Sequence, residues 1–268
     1  MTRQNIDKLK LLVSQGAHEM VFTSKWLRSL GINNKLTWWY LHSGWLERIG
    51  SKAYKRSGSV VSWEGAVAAI QQQLQAPVYV SGKTALQLLG KAHYLPIGGI
   101  KTVELFTLPT LSIPDWLTET KHFSVKFNIH KSGLFNPKTQ KTIGLTKQEI
   151  DNIQLLVSAP ERAIMEVLLD VPKKVSYEES LQLMENLAYL RPQVMQTLLE
   201  NCRSIKVKRL LLHMAEICQH EWLKELNLKR INLGKGKRKI GSGGNYDSKY
   251  QMSVPIIRME TKKTPTPY

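Results

Sequence analysis

Residues 20–56 read MVFTSKWLRSLGINNKLTWWYLHSGWLERIGSKAYKR, and the pattern of this stretch decides the fold of the N-terminal part. Thr23 or Ser24 can cap a short helix carrying Trp26, Leu27 and Leu30. Gly31 supplies a tight turn and Ile32 the apolar plug beneath it. A second helix begins at Asn33 or Asn34, with Leu36, Tyr40 and Leu41 spaced to face inward. Lys35, Trp38, Trp39 and His42 then fall on the opposite face, and Gly44 ends the helix. Trp45-Leu46-Glu47-Arg48-Ile49 and Ala53-Tyr54-Lys55-Arg56 read as two strands joined by Gly50-Ser51-Lys52. Upstream, Ile6, Leu9, Leu12 and Val13 form the apolar stripe of a preceding helix. The order is that of a winged helix-turn-helix, whose second helix enters a DNA major groove.

A helical bundle with a hairpin, used for packing or protein contact, would carry a similar pattern. Charge argues for DNA. Residues 1–75 hold ten Lys/Arg against four Asp/Glu. Lys25, Arg28, Lys35, Arg48, Lys52, Lys55 and Arg56 all lie on the two helices or the hairpin. Phosphate binding needs cations there, because it displaces condensed counterions. Asn33, Asn34 and Lys35 would approach base edges, since Asn pairs with adenine and Lys with guanine. The candidate contact set is therefore Ser24, Lys25, Arg28, Asn33, Asn34, Lys35, Trp38, Trp39, His42, Arg48, Lys52, Lys55 and Arg56. Trp38 and Trp39 are bulky for such a face, and packing of one on a second domain would remove it from the DNA surface.

The 268 residues have room for two domains, and a 42% hydrophobic content is that of a globular chain. No apolar run reaches the length of a membrane span, and no signal-peptide core is seen at the N-terminus. Two cysteines, Cys202 and Cys218, make a disulfide scaffold implausible and point to a reducing cytoplasm. The net charge of +17 is uneven: residues 76–223 carry seventeen basic and fourteen acidic side chains, residues 224–268 eleven and three. Cations concentrated at both ends fit a polyanionic partner.

A helix over residues 63–74 ends at Gln75-Ala76-Pro77, which divides residues 1–75 from a second domain, 77–268. That domain opens with a short strand, Val78-Tyr79-Val80, and a helix from Ser81 to Gly90, with Ser81 and Thr84 as N-terminal caps. Strands follow at residues 103–107 and 123–129, the second placing Phe123, Val125, Phe127 and Ile129 on one face. From Thr146 onward the chain is expected to be helical. Three capping-box spacings, Thr146…Glu149, Ser158…Glu161 and Ser176…Glu179, announce helix starts. Further helices begin at Arg191-Pro192, reaching about residue 206, and cover 207–226. The fold class is α+β: the winged head, then a mixed domain with a helical second half and a basic tail at 229–268.

Other chemistries find little support. Ser81-Gly82-Lys83-Thr84 resembles the end of a Walker A loop, but Pro77 stands where its first glycine belongs. His213, Cys218 and His220 lack paired metal-ligand spacing, so neither a metal nor a cofactor is expected. No nucleophile elbow or clustered carboxylate pattern appears, and the chain reads as a non-enzyme. Lys229, Arg230, Lys235, Lys237, Arg238 and Lys239 form a run without an acid, and Gly241-Ser242-Gly243-Gly244 is expected to keep it flexible. The run is either a solvated tail or a grip on phosphates, with Tyr246 and Tyr250 available for stacking. The alternative to a DNA reader is thus an RNA- or protein-binding adaptor whose tail holds a polyanion.

Four segments, in this order, carry a family resemblance. They are Ser43-Gly44-Trp45-Leu46-Glu47-Arg48-Ile49-Gly50; Tyr79-Val80-Ser81-Gly82-Lys83-Thr84-Ala85-Leu86-Gln87-Leu88-Leu89-Gly90; Ser158-Ala159-Pro160-Glu161-Arg162-Ala163-Ile164-Met165-Glu166; and Gly243-Gly244-Asn245-Tyr246-Asp247-Ser248-Lys249-Tyr250. Over nearly its whole length the chain resembles the AbiEi family, the antitoxin half of type IV, AbiE-type toxin–antitoxin systems of phage defence. The resemblance implies a transcriptional autorepressor whose winged helix binds inverted repeats in its own promoter. It also implies a C-terminal domain that opposes an AbiEii-like nucleotidyltransferase toxin. Carried onto this chain, the DNA contacts fall on Lys35, Trp38, Trp39, His42, Lys52, Lys55 and Arg56.

Overall fold

In the computed structural model, residues 19–91, 99–119, 122–242 and 244–256 are described, together with Lys8 and Leu12. The head comprises β1 (Phe22–Thr23), α1 (Ser24–Ser29), α2 (Asn34–His42), β2 (Leu46–Gly50), β3 (Ala53–Arg56) and α3 (Trp63–Ala68). Next come β4 (Val78–Val80), α4 (Gly82–Leu88), β5 (Thr102–Thr107), α5 (Asp115–Thr118), β6 (Lys126–Lys131) and α6 (Pro137–Thr142). A hairpin of β7 (Leu145–Ile150) and β8 (Ile153–Ser158) leads into α7 (Pro160–Asp170), α8 (Tyr177–Glu185), α9 (Pro192–Asn201) and α10 (Ile205–Ile217). The chain then forms β9 (Arg238–Lys239), β10 (Asn245–Asp247) and β11 (Met252–Val254).

Period-two alternation explains the body. Its five strands lie in the order β6-β5-β4-β8-β7, with Val78, Val80, Val103, Leu105, Leu155 and Val157 turned to one face. Tyr79 and Phe106 turn to the other, where they pack with α4, α7, α8, α9 and α10. Phe123, Val125, Phe127 and Ile129 share the first face as expected, but β6 itself begins only at Lys126.

Four expectations for the second half are overturned. Thr146…Glu149 opens no helix: both residues lie in β7, paired antiparallel with β8 from Leu145↔Ser158 to Ile150↔Ile153. The turn between them is Asp151-Asn152, with φ of 47° and 63°, a two-residue connection that selects a twisted hairpin over a helix. Ser158 does not cap α7; its hydroxyl donates to the Glu166 carboxylate at 2.8 Å, and Ala159 is the N-cap before Pro160. Only Ser176…Glu179 is a true cap, the Ser176 hydroxyl accepting the Glu179 amide. The helix from Arg191-Pro192 stops at Asn201, and the expected 207–226 helix is α10 followed by a 3-10 turn, Glu221–Glu225, beyond Gln219 at φ 53°.

One hydrophobic core holds residues from both sides of 75–77. Trp63, Ala66, Val67 and Ile70 share one core with Val21, Ile49 and Ala53 of the head and with Val78, Val80 and Leu155 of the sheet. The π-helical turn Ala69–Gln73 sends its glutamines both ways. Gln73 accepts the Thr23 amide and donates to the Val21 carbonyl, at 2.8 and 2.7 Å. Gln71 mimics a strand at the place where β4 is too short, accepting Leu156 N–H and donating to the Leu156 and Val78 carbonyls. Among the described residues no helix is long and apolar enough to cross a membrane.

Candidate nucleic-acid interface

The head follows local codes closely. Thr23 is the cap of α1, its hydroxyl accepting the Trp26 amide at 3.2 Å. Gly31 turns the chain at φ +74°, a conformation that favours glycine, and Ile32 is fully buried beneath it. Asn33 caps α2 through Oδ1, which accepts the Leu36 amide at 2.9 Å. Leu12, Phe22, Leu27, Ile32, Tyr40, Leu46 and Tyr54 make the core of this unit. Ile6, Leu9 and Val13 of the expected preceding helix lie outside the described residues.

The hairpin differs from the expected wing in two respects. Gly50 belongs to β2, opposite Ala53, so the connection is Ser51-Lys52 alone, with Lys52 at φ 59°. Gly50 is there for close approach: a Cβ at this position would stand 2.5 Å from the Cβ of Trp116 on α5. The back of the hairpin thus rests on the body. β3 also pairs with β1, a two-residue strand too short for periodicity to reveal.

On α2 the exposed arc holds Asn34, Lys35, Trp38, Trp39 and His42, while Thr37 and Tyr40 are buried. Neither tryptophan packs away on the body: Trp38 is 56% and Trp39 37% exposed, and Trp45 beside them is 44% exposed. Trp38 stacks on His42 with ring centroids 3.8 Å apart and planes at 28°.

A cleft of about 350 Å³ separates α2 from α1 and the hairpin. It gathers six of the expected contact residues, Ser24, Arg28, Asn34, Trp38, Arg48 and Lys52, with Thr37 and Tyr54 adding hydroxyls. No acid lines it. Arg28 is steered by its Nε donating to the Ser24 carbonyl at 3.1 Å, and Arg48 lies 5.5 Å from the Tyr54 ring centroid. Among the described residues no carboxylate pairs with Arg28, Arg48 or Lys52. Three cations without an acidic partner around a concave polar surface give a geometry suited to an anion.

The remaining expected contacts are placed elsewhere. Asn33 spends its carbonyl oxygen on the cap, and Lys25 donates to the Leu74 carbonyl at the end of the π-helical turn. Lys55 pairs with Glu47 at 3.0 Å and donates to the Ser59 carbonyl. The same Glu47 carboxylate accepts the Gly58 amide and the Ser57 hydroxyl. Those bonds, the Gly58 amide first, hold Glu47 down to about 2 and keep the one acid of the hairpin occupied within it. Arg56 is half-buried at the foot of the hairpin, opposite Leu46.

The basic run 229–239 is not a flexible tail. Arg209 on α10 is 2% exposed and donates to the carbonyls of Leu233, Gly234, Gly236 and Gln251, pinning the loop. Ile231, Ile240, Tyr250, Met252 and Val254 bury themselves in the main core, and β9 pairs with β11. Arg230 is neutralised by Glu200 and Lys249 by Glu216, whereas Lys229, Lys235, Lys237, Arg238 and Lys239 are exposed without an acidic partner among the described residues. Tyr250 is buried, and Tyr246 is 47% exposed with Lys237 Nζ 5.3 Å from its ring centroid.

The Walker-like segment is filled by the protein itself. Gly82 N–H donates to Glu166 and Lys83 N–H to Glu104, at 3.2 and 2.8 Å, so two carboxylates occupy the start of α4. Burial raises the pKa of both. Ser81 makes no cap bond, and Thr84 instead bridges the Thr102 carbonyl and the Glu104 amide. The cleft alongside mixes Lys83, Lys101 and Lys174 with Glu104 and Asp170, unlike the acid-free cleft of the head. His213 binds the Tyr177 hydroxyl and Asp247, and His220 the Met184 carbonyl; each is a packing residue.

Two family profiles match this chain. Residues 5–97 match "Transcriptional regulator, AbiEi antitoxin N-terminal domain", and residues 100–255 match "Transcriptional regulator, AbiEi antitoxin, Type IV TA system". The fold is similar to the crystal structure of the RV2827C protein from Mycobacterium tuberculosis, with a TM-score of 0.59 at 12% identity, over 95% of this chain and 92% of that one. No curated protein matches.

Proposed function

We propose that this chain, which belongs to the AbiEi family of antitoxins and transcriptional regulators of type IV toxin–antitoxin systems, represses its own promoter by binding inverted repeats through residues 1–75. The observation that carries the reading is the acid-free cleft between α1, α2 and the hairpin, beside an α2 face that presents Asn34, Lys35, Trp38, Trp39 and His42. α2 enters the major groove, Arg28, Arg48 and Lys52 hold phosphates, and Asn34 and Lys35 reach base edges. Residues 77–268 counteract the toxin of the system, an AbiEii-like nucleotidyltransferase by family resemblance. The protein acts without a catalytic site of its own, in a reducing cytoplasm where Cys202 and Cys218 stay free thiols.

Fluorescence anisotropy over a salt series, with the upstream DNA of the gene and a scrambled duplex, tests the reading. A preference above about a thousandfold is expected of a specific site. A second reading makes the C-terminal module the main polyanion grip, and its support is the five cations held on ordered backbone at 229–239 without an acidic partner among the described residues. It requires equal, steeply salt-dependent binding to both duplexes, lost when those cations are replaced.

A further inference from the structure

We propose that Trp38 is the residue that reads thymine, its indole packing against the 5-methyl group in the major groove; this rests on the head being the DNA-reading unit. Trp38 is the most exposed of the large aromatics on α2, at 56%, at the middle of the arc formed by Asn34, Lys35, Trp39 and His42. It is also held in place. One face of the indole is covered by the His42 imidazole, and His42 Nδ1 lies 2.9 Å from the Trp38 carbonyl. A side chain stacked on one face is poorly suited to insertion between bases, where both faces must be free. Its open face and edge remain.

The surroundings decide what meets them. Trp38 forms part of the wall of the cleft that holds Arg28, Arg48 and Lys52, so its partner is anionic and an apolar protein surface is disfavoured. A phosphate seated among those cations brings the adjoining base edges alongside the indole. In the major groove the apolar projection of a base edge is the thymine methyl, which no other base carries. An exposed, pre-ordered aromatic flanked by phosphate-holding cations therefore finds its complement in that methyl group.

The test replaces thymine by deoxyuridine, one position at a time, in the upstream duplex that the chain prefers. Removing a buried methyl is expected to weaken binding about fourfold at the position read by Trp38 in each half-site, and to leave other positions unchanged. Trp38→Ala should bind the thymine and deoxyuridine duplexes equally, and should lose more affinity for upstream than for scrambled DNA. Trp38→Leu, which keeps an apolar tip, should retain part of the difference. Unaltered affinity through the whole deoxyuridine series, with the preference for upstream DNA intact, overturns the assignment of Trp38 alone. Lack of any preference for upstream over scrambled DNA overturns the reading of the head, and this assignment with it.

Discussion

Replacing Gln73 by leucine is expected to destabilise the chain by about 2–4 kcal/mol, although the residue is outside the proposed DNA contacts. The residue is 8% exposed, and its carboxamide satisfies two backbone groups ahead of α1, the Thr23 amide at 2.8 Å and the Val21 carbonyl at 2.7 Å. Thr23 and Val21 are 2% and 0% exposed, so water cannot take over. Each buried group left unpaired costs about 1–3 kcal/mol, and the added apolar burial of leucine returns about 1–2 kcal/mol. The neighbour is the control. Gln72 is exposed and donates to the Gln154 carbonyl at 2.7 Å, so Gln72→Leu should cost below about 1 kcal/mol. Urea unfolding followed by tryptophan fluorescence reads both, through a shifted midpoint at constant slope. Hydrogen exchange at the Thr23 amide should quicken in Gln73→Leu only. Equal midpoints for the two variants would refute the view that this amide fastens the start of α1 to the π-helical turn.

Three further outcomes are expected. Arg209→Met should cost about 2–4 kcal/mol and expose residues 232–242 to limited proteolysis, because the guanidinium serves three carbonyls of that loop and that of Gln251; an unchanged cleavage pattern counts against an ordered basic module. Glu47, held at about 2 against an ordinary 4.5, stabilises the folded state above about pH 4.5 and loses that contribution as pH falls toward 2; Glu47→Gln should flatten this part of the acid unfolding profile. Lys55→Ala should barely alter DNA affinity, since Lys55 is tied to Glu47 and Ser59, whereas Arg28→Ala and Arg48→Ala should each weaken all duplexes and reduce the salt slope by about 0.9; matching losses for all three would place the phosphate seat elsewhere.

What could be read in the sequence was what neighbours decide. The caps at Thr23, Asn33 and Ser176, the turn at Gly31 and the strand Ala53–Arg56 all rest on residues within a few positions of one another, and all are found where the pattern puts them. The Asp151-Asn152 turn was equally local, and was outweighed by a capping-box spacing at Thr146…Glu149 that a strand can carry just as well. Polar side chains that answer a distant backbone left no such mark. Gln73 meets Thr23 fifty residues away, Gln71 meets Leu156 at eighty-five, and Glu166 meets the Gly82 amide at eighty-four. The basic run is the sharpest case. Composition alone makes Lys235-Gly236-Lys237-Arg238-Lys239 a solvated tail, because glycine and like charges oppose compaction. One buried arginine on α10 reverses that by donating to the carbonyls of the loop, while the lysines stay at the surface. For the candidate site the same rule separates the cations. Arg28, Arg48 and Lys52 come together in the cleft because three different elements converge there, and Lys25 and Lys55 leave the set because Leu74, Glu47 and Ser59 claim them first. On the proposed reading, counting positive charges on the head therefore overstates its grip: the cations available to a phosphate are those the fold leaves without an acid.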